Sequence, residues 1–396
     1  MLSLILTMSL AQSALPTLAF TVTVGEHEKL YLVHRSHSQP LDLGIAQHPV
    51  WSPDGSTLAY IRRDPKGFGR DLMVCTPGTG NPRILHRQVA NSCPIWASDS
   101  KTILFTVPRP QAKNEFTDAE RACLVDSKTG KVTLLGDFKR GEAYEPRAVA
   151  NNPWFLIPFV MKDQLFEHAV LWLVDTDGKR LRKLGRTELV EPSPNGRYVV
   201  HSGVEDHRVT ELITGKSHRV RRGVGYVEWL PDSSAFTCFN SKSGSLMLVS
   251  QTGSILHLLP KGYDEIELSP TGKMAFLTNS ETESMPLLFN LASGKIIKKF
   301  SNDAQYYRWE EKGKRVLYAS LVGSKIVIKA FDTVPGLPAY EPKVLSEDED
   351  LAPIASPDGK WLVFVTSGQT RLYECATGRW QDLAPTQATQ IIFCPR

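Results

Sequence analysis

The stretch Pro49-Val-Trp-Ser-Pro-Asp-Gly-Ser-Thr-Leu-Ala-Tyr60 reads as the end of one strand, a tight turn and the start of a second strand. Within Ser52-Pro-Asp-Gly55 the proline presets φ for the first central position of the turn. The aspartate bonds its own backbone, and the glycine supplies the positive φ that reverses the chain. The pattern returns in Pro94-Ile-Trp-Ala-Ser-Asp-Ser100, Glu191-Pro-Ser-Pro-Asn-Gly196, Glu228-Trp-Leu-Pro-Asp-Ser233, Glu267-Leu-Ser-Pro-Thr-Gly272, Arg308-Trp-Glu-Glu-Lys-Gly313 and Ile354-Ala-Ser-Pro-Asp-Gly359. A degenerate copy, Ala148-Val-Ala-Asn-Asn152, fills the one gap. Anchored on the tryptophan position, the copies fall at 51, 96, 148, 192, 229, 268, 309 and 355, about 43 residues apart on average. That period suits a four-stranded propeller blade and is too long for leucine-rich or ankyrin units. Asp, Gly and Trp recur here for folding reasons, so none of them is read as a functional residue.

Each unit reads internally as four strands. A second strand follows the turn, as in Thr102-Ile-Leu-Phe-Thr-Val107. A third runs into another turn, as in Leu246-Met-Leu-Val-Ser-Gln-Thr-Gly253, and a short fourth follows, as in Ile255-Leu-His-Leu-Leu259. Helical periodicity is essentially absent. Ahead of the first anchor, Phe20-Thr-Val-Thr-Val24, Leu30-Tyr-Leu-Val-His34 and Pro40-Leu-Asp-Leu43 read as strands two, three and four of a blade without its first strand. Behind the last unit lies a lone strand, Gln390-Ile-Ile-Phe-Cys394. The expectation is an all-β chain: a single closed β-propeller of four-stranded blades, in which the C-terminal strand joins the N-terminal three and removes the open edges. The literal count is nine blades, or eight if the unit near Ala148 is irregular.

The totals fit an ordinary globular chain: 396 residues, 41% hydrophobic and 22% charged, with 46 Lys+Arg against 42 Asp+Glu. A formal charge of +4 with scattered basic residues does not point to nucleic acid. Leu2 to Leu10 is an apolar run of signal-peptide length, too short to span a membrane, with small residues at Ser9-Leu-Ala11 and Ala11-Gln-Ser13 for cleavage. It lacks a basic residue ahead of it. The expectation is a signal peptide over 1–13 and a propeller over 14–396, exported to the periplasm or the extracellular space, with no transmembrane segment. Six cysteines, Cys75, Cys93, Cys123, Cys238, Cys375 and Cys394, form no CxxC or CxH pair. Zinc and thiol redox chemistry are therefore not expected, and most of these cysteines read as small buried hydrophobes.

With Trp51 to Gly55 and Ser356 to Gly359 as its best copies, the repeat resembles the TolB-like propeller, a WD-like family, over residues 20 to 394. The resemblance implies an exported scaffold that docks proteins or ligands. Peptidases that carry such propellers use a Gly-x-Ser-x-Gly elbow, which is not found here, and propeller lyases of similar repeat use clustered histidines on a metal, whereas the ten histidines here are isolated.

The enzyme-like constellation is a set of first-strand carboxylates, Glu191, Glu228 and Glu267, candidates for a central calcium or manganese in a lyase- or lactonase-like propeller. Glu145 lies near them in sequence, with Arg147 and Arg308 as candidate counter-charges. The favoured reading is non-catalytic, with no cofactor. A protein partner or small ligand is expected on the face where second-to-third and fourth-to-first strand loops open. The candidates there are His27, Arg62, Arg63, Lys66, Arg70, Asp71, Glu205, His207, Arg208, Asp264 and the acidic run Glu347, Asp348, Glu349, Asp350. The chain is expected to be a monomer.

Overall fold

Every regular element is a β-strand, as the two-residue alternation and turn spacing require; the computed structural model describes residues 15–34, 39–63, 69–108, 119–139, 145–159, 169–187, 189–202, 207–279, 285–301, 304–310, 313–322, 325–337, 343–344, 354–357, 360–365, 368–374 and 377–395. The chain divides into two compact units. One comprises Met1–Phe116, Glu120–Gly136 and Asp350–Arg396, the other Thr117–Ala119 and Asp137–Glu349.

In the first unit the C-terminal strand Ala388–Phe393 lies beside the N-terminal strand Leu18–Val24, with Leu18 opposite Phe393 and Phe20 opposite Ile391. His27–Val33 and the start of Leu41–Trp51 complete that sheet, so its strands come from both ends of the chain, as the sequence suggested. One detail differs from expectation. The fourth strand of this sheet and the first of the next are not separate: Leu41–Trp51 is continuous, pairing Lys29 with Ile45 on one side and Ala46 with Arg62 on the other. A register shift between Gln47 and Val50, with His48 at φ 54°, turns the chain within the strand, so no loop is needed. Leu58–Arg63, Arg70–Cys75 and Pro82–Arg87 complete the second sheet, and Ile354–Ala355, Trp361–Val365, Thr370–Glu374 and Arg379–Ala384 form another.

The second unit contains four-stranded antiparallel sheets in chain order. They include Val190–Pro192 to Ser217–Val220, Gly223–Trp229 to Ile255–Leu258, and Glu265–Leu268 to Lys295–Lys299. The degenerate copy near Ala148 still forms a strand, turn and strand, with Arg147 opposite Leu156 and Val149 opposite Trp154, but irregularly: Trp154–Phe159 also pairs with Val132–Lys139 of the preceding repeat at Phe159 and Phe138, which joins the two repeats in one sheet. Sheets stack through alternate residues. Val200, Val209 and Val220 pack with Trp229, Phe236, Cys238 and Met247, and Leu246, Leu248 and Leu259 pack with Ala275, Leu277, Leu287 and Phe289. Each such side chain contributes about 1.5–3 kcal/mol by leaving water.

The repeated turn has one hydrogen-bond pattern. Gly55 N–H donates to the Ser52 carbonyl and Ser52 N–H to that of Thr57; the same pair recurs at Ser193, Leu230 and Ser269. The fourth turn residue holds φ between 56° and 67° at Gly55, Ser100, Gly196, Ser233 and Gly272. Where serine replaces glycine, its hydroxyl bolts neighbouring sheets: Ser100 Oγ accepts the Asp54 N–H (3.0 Å) and Ser233 Oγ accepts that of Asn195 (2.9 Å). The anchor tryptophans do the same. The Trp51, Trp96 and Trp229 indoles donate to the carbonyls of Ile392, Val50 and Glu191, at 3.4, 3.2 and 3.0 Å.

Gly196 is required twice over, by φ +67° and because a Cβ there would come within 1.7 Å of the Ala150 carbonyl oxygen. Gly294, at φ +66°, would meet nothing within 4 Å. Gly196→Ala is expected to destabilise by about 2–4 kcal/mol, and Gly294→Ala by about 1 kcal/mol, in urea unfolding. Equal costs would show that the backbone angle alone matters and that the contact with Ala150 does not.

Candidate functional site

Glu191, Glu228 and Glu267 stand on the first strands of three successive sheets of the second unit, opposite Val200, Thr237 and Phe276. All three are half-buried. The structure brings the three within electrostatic reach. Burial pushes the Glu228 carboxyl up to about 7, helped by the charges of Glu267 and Glu191 and opposed by the hydrogen bond it accepts from the Leu268 N–H. Burial also raises Glu191, which the Arg147 guanidinium partly offsets. Tyr226, two residues before Glu228, has its phenol held above the usual value by burial and by both carboxylates. Glu145 is engaged elsewhere, accepting from Arg147 Nη1 at 2.9 Å.

Chemically this is a carboxyl poised to exchange a proton near neutrality beside two acids and a phenol. Among the described residues, no three His, Cys, Asp or Glu side chains stand close enough together to hold a metal ion. Cys75, Cys123 and Cys238 are buried thiols in no disulfide, pushed by desolvation up to about 11, 11 and 12, and thus sit as the small hydrophobes expected from sequence.

The loop-face residues separate into distinct roles. Arg62 is the cross-strand partner of Asp71, which is itself opposite Arg87. Asp71 is 6% exposed and takes Arg62 Nη2 and Arg87 Nη1 at 3.5 Å each, so it orients two arginines and is not itself offered to a partner. On the next register position Arg63 stands directly opposite Arg70, and Arg63 Nη1 lies 3.3 Å from His27 Nδ1. Among the described residues neither Arg63 nor Arg70 forms an ion pair. Like charges placed opposite each other across a ladder are destabilising. Arg87, which sequence reasoning missed, was discoverable as the fourth-strand residue opposite Asp71.

His207, expected on this face, is 3% exposed, with Nε2 bonded to the Gly225 carbonyl at 2.9 Å; it fixes a strand end. Arg208 is exposed, and the Asp264 N–H donates to the Thr278 carbonyl at 3.2 Å. Lys66, Glu205, Glu347, Asp348, Glu349 and Asp350 lie outside the described residues. Next to His207 in the same sheet, His201 is 1% exposed and bonds Thr210 Oγ1 at 3.0 Å, while its Nδ1 has no partner. Desolvation, with the charges of Arg208 and His207, lowers it to about 4.

Two pH dependences follow. Glu228 is raised in the folded chain, so its contribution is present at acid pH and is lost as pH rises through about 7. Glu228→Gln should raise stability at pH 8 by on the order of 1–2 kcal/mol after allowing for solvent screening, seen as a higher Tm, and leave it unchanged at pH 4. His201 is lowered, so its contribution is full above pH 6.5 and falls away between 6.5 and about 4. His201→Gln should flatten that acid limb of a Tm-against-pH curve, and an unchanged limb would assign acid sensitivity to other groups.

No known family profile matches the chain, and no curated protein matches it in sequence. Solved structures do resemble it. A eukaryotic initiation factor shares 11% identity at a TM-score of 0.66, over 96% of this chain and 98% of that one. The dihydro-haem d1 dehydrogenase NirN, solved in complex with DHE, shares 13% at 0.50, over 88% and 75%. TolB from Acinetobacter baumannii shares 13% over 80% and 61%, at a TM-score of 0.33, which carries no argument for this chain. Identities this low speak to fold alone, and with the four-stranded sheets they support a β-propeller architecture.

Proposed function

We propose that this chain is an exported, non-catalytic β-propeller of TolB-like type whose loop face binds an acidic segment of a protein partner. Its nine four-stranded blades would form a ring closed by its own C-terminal strand. The pairing of Leu18–Val24 with Ala388–Phe393 supports closure, and the strand pairing of Arg147–Val149 with Trp154–Phe159 supports counting the unit near Ala148 as a ninth. The apolar run Leu2 to Leu10 supports export with a mature chain from about residue 14.

The single observation that carries the partner is the pair of directly opposed arginines Arg63 and Arg70, with Arg63 beside His27 Nδ1 and with Arg62 and Arg87 nearby, held by a buried Asp71. A fold keeps like charges opposed at a cost, and an incoming carboxylate taken bidentately by a guanidinium would remove it. Glu28 on the same rim is already used, accepting from Thr389 Oγ1 at 3.0 Å. Loops on a stiff scaffold are also where recognition usually sits.

A second reading rests on Glu228: a proton-exchanging site built with Glu191, Glu267 and Tyr226, whose enzyme form would be lyase- or lactonase-like. The calcium or manganese expected from sequence finds no three donors close enough to hold it among the described residues.

The two readings are separated by one comparison in the source cell. The tagged full chain should recover a reproducible partner, with recovery falling at raised salt. Arg63→Ala/Arg70→Ala should lose that partner at least tenfold with a Tm no lower than that of the parent chain, since an opposed like-charge pair is removed, and Glu228→Gln should keep it. Loss with Glu228→Gln and retention with the arginine variant would transfer the function to the carboxylates.

A further inference from the structure

In three repeats the residue just after the third strand reaches back to the turn between the first and second strands. Leu212 N–H donates to the Arg197 carbonyl and Leu291 N–H to that of Lys273, both at 2.9 Å, and Ser127 N–H donates to that of Lys101 at 2.7 Å. Each acceptor follows the left-handed residue of its turn, Gly196, Gly272 or Ser100. The position is therefore the same in all three, and it belongs to the core. Leu212, 1% exposed, joins the apolar cluster of Val149, Leu156 and Leu173 in the preceding repeat. Leu291, 3% exposed, joins that of Ala235, Leu246 and Leu248. Ser127 is nearly as buried, at 8%, but it is polar, and among the described residues its hydroxyl makes no hydrogen bond.

Where leucine fills the space in the other repeats, a cavity of about 310 Å³ opens here, lined by Ser127 and by residues of the sheet before it. Val74 is the one aliphatic residue among those that line it. Three cations gather around Ser127. Arg83 donates from Nη2 to the Ser127 carbonyl, Lys101 supplies the carbonyl that takes the Ser127 N–H, and Lys128 is the next residue in the chain. All three line the cavity, and among the described residues none forms an ion pair. The two carboxylates of the lining are engaged by their own turns. Asp54 Oδ1 accepts from Ser52 Oγ and the Ser56 N–H, and Asp99 Oδ1 from the Lys101 and Thr102 N–H groups. Asp126, beside Lys128, caps its turn in the same way, through the Lys128 and Thr129 N–H groups.

We propose that this cavity binds a small phosphorylated polyol, its phosphate among Arg83, Lys101 and Lys128 against the Ser127 hydroxyl, and its hydroxyls on Ser56, Thr57 and Asp99. A carboxylate has two oxygens in one plane. A phosphate ester has three terminal oxygens arranged as a tripod, which suits cations arriving from three separate elements and a hydroxyl donor beneath them. Asp99 Oδ2 accepts once, from Thr102 Oγ1, and has room for a ligand hydroxyl. A volume at the low end of small-ligand pockets suits a body no larger than a monosaccharide. The site lies on the turn side of the first unit and shares no residue with the loop face or with the first-strand carboxylates.

The probes are glycerol-3-phosphate, ribose-5-phosphate and glucose-6-phosphate, compared with inorganic phosphate, glucose and glucuronate in calorimetric titrations of the full chain. At least one of the esters should bind saturably, tenfold or more tighter than each of the three comparison compounds, and should raise Tm as its concentration rises. Arg83→Ala/Lys128→Ala should weaken that binding at least tenfold. Ser127→Leu installs the residue of the other repeats, so it should abolish binding with a Tm at or above that of the parent chain, a combination that a misfolded variant would not give. Four results would overturn the proposal: no saturable binding of any ester, inorganic phosphate or glucuronate binding as tightly as the best ester, binding untouched by the loss of Arg83 and Lys128, or binding that survives Ser127→Leu.

Discussion

A residue at φ near +60° closes the turn between first and second strands at Gly55, Ser100, Gly196, Ser233 and Gly272, and the sheets depend on it. With Ser52 and Gly55 bonded as they are, the chain reverses within four residues and the tryptophan ahead of the turn is aimed at the preceding sheet. There its indole finds a backbone carbonyl that would otherwise face an apolar layer, as Trp229 does with Glu191. The arrangement accounts for the tolerance of serine at the left-handed position. Ser100 and Ser233 bear the strain of a side chain at positive φ, and their hydroxyls offset it by accepting an N–H from the neighbouring turn. Trp309 shows the limit: it packs on Phe276, and its buried N–H finds no acceptor.

Much of this was legible in the sequence, because turns are set by local chemistry. Proline, aspartate and glycine act on the backbone within their own four residues, so the copies at 51, 96, 229 and 268 mark their strands without reference to anything distant. The lone strand before Cys394 was legible for a related reason: an N-terminal sheet lacking one strand leaves one edge to fill. The fusion of two strands across Leu41–Trp51 was not, since it depends on a bulge at His48, and an isolated histidine, though tolerant of positive φ, does not announce one the way a glycine turn does.

The functional residues were less legible, for a physical reason. Alternation along a strand tells which face a side chain takes; it does not tell how deep that face lies. Asp71 and His207 read from sequence as rim residues because they adjoin loops, yet both are buried, one anchoring two arginines and the other a backbone carbonyl. Conversely, the reach between Glu191, Glu228 and Glu267 depends on how successive sheets are placed, which no single repeat encodes. What could be read was their common position one residue ahead of the anchor or at equivalent places on first strands, and that was enough to nominate them.

These placements imply a division of labour within one repeated unit. The turn side of the sheets is committed to cohesion: Ser52, Ser193, Ser269 and Ser356, all buried, close their own turns, and Ser100, Ser233 and the indoles tie a turn to its neighbour. A substitution there is felt by two sheets at once. The outer strands share that duty only at particular residues, such as Arg182 on the Ile213 carbonyl, so charge can accumulate elsewhere on them at little cost to the fold. Arg63 opposite Arg70 and a carboxyl titrating near 7 are each locally unfavourable. A scaffold whose cohesion lies elsewhere can keep such groups in place, and surfaces held out of balance in this way are the ones an incoming ligand can stabilise.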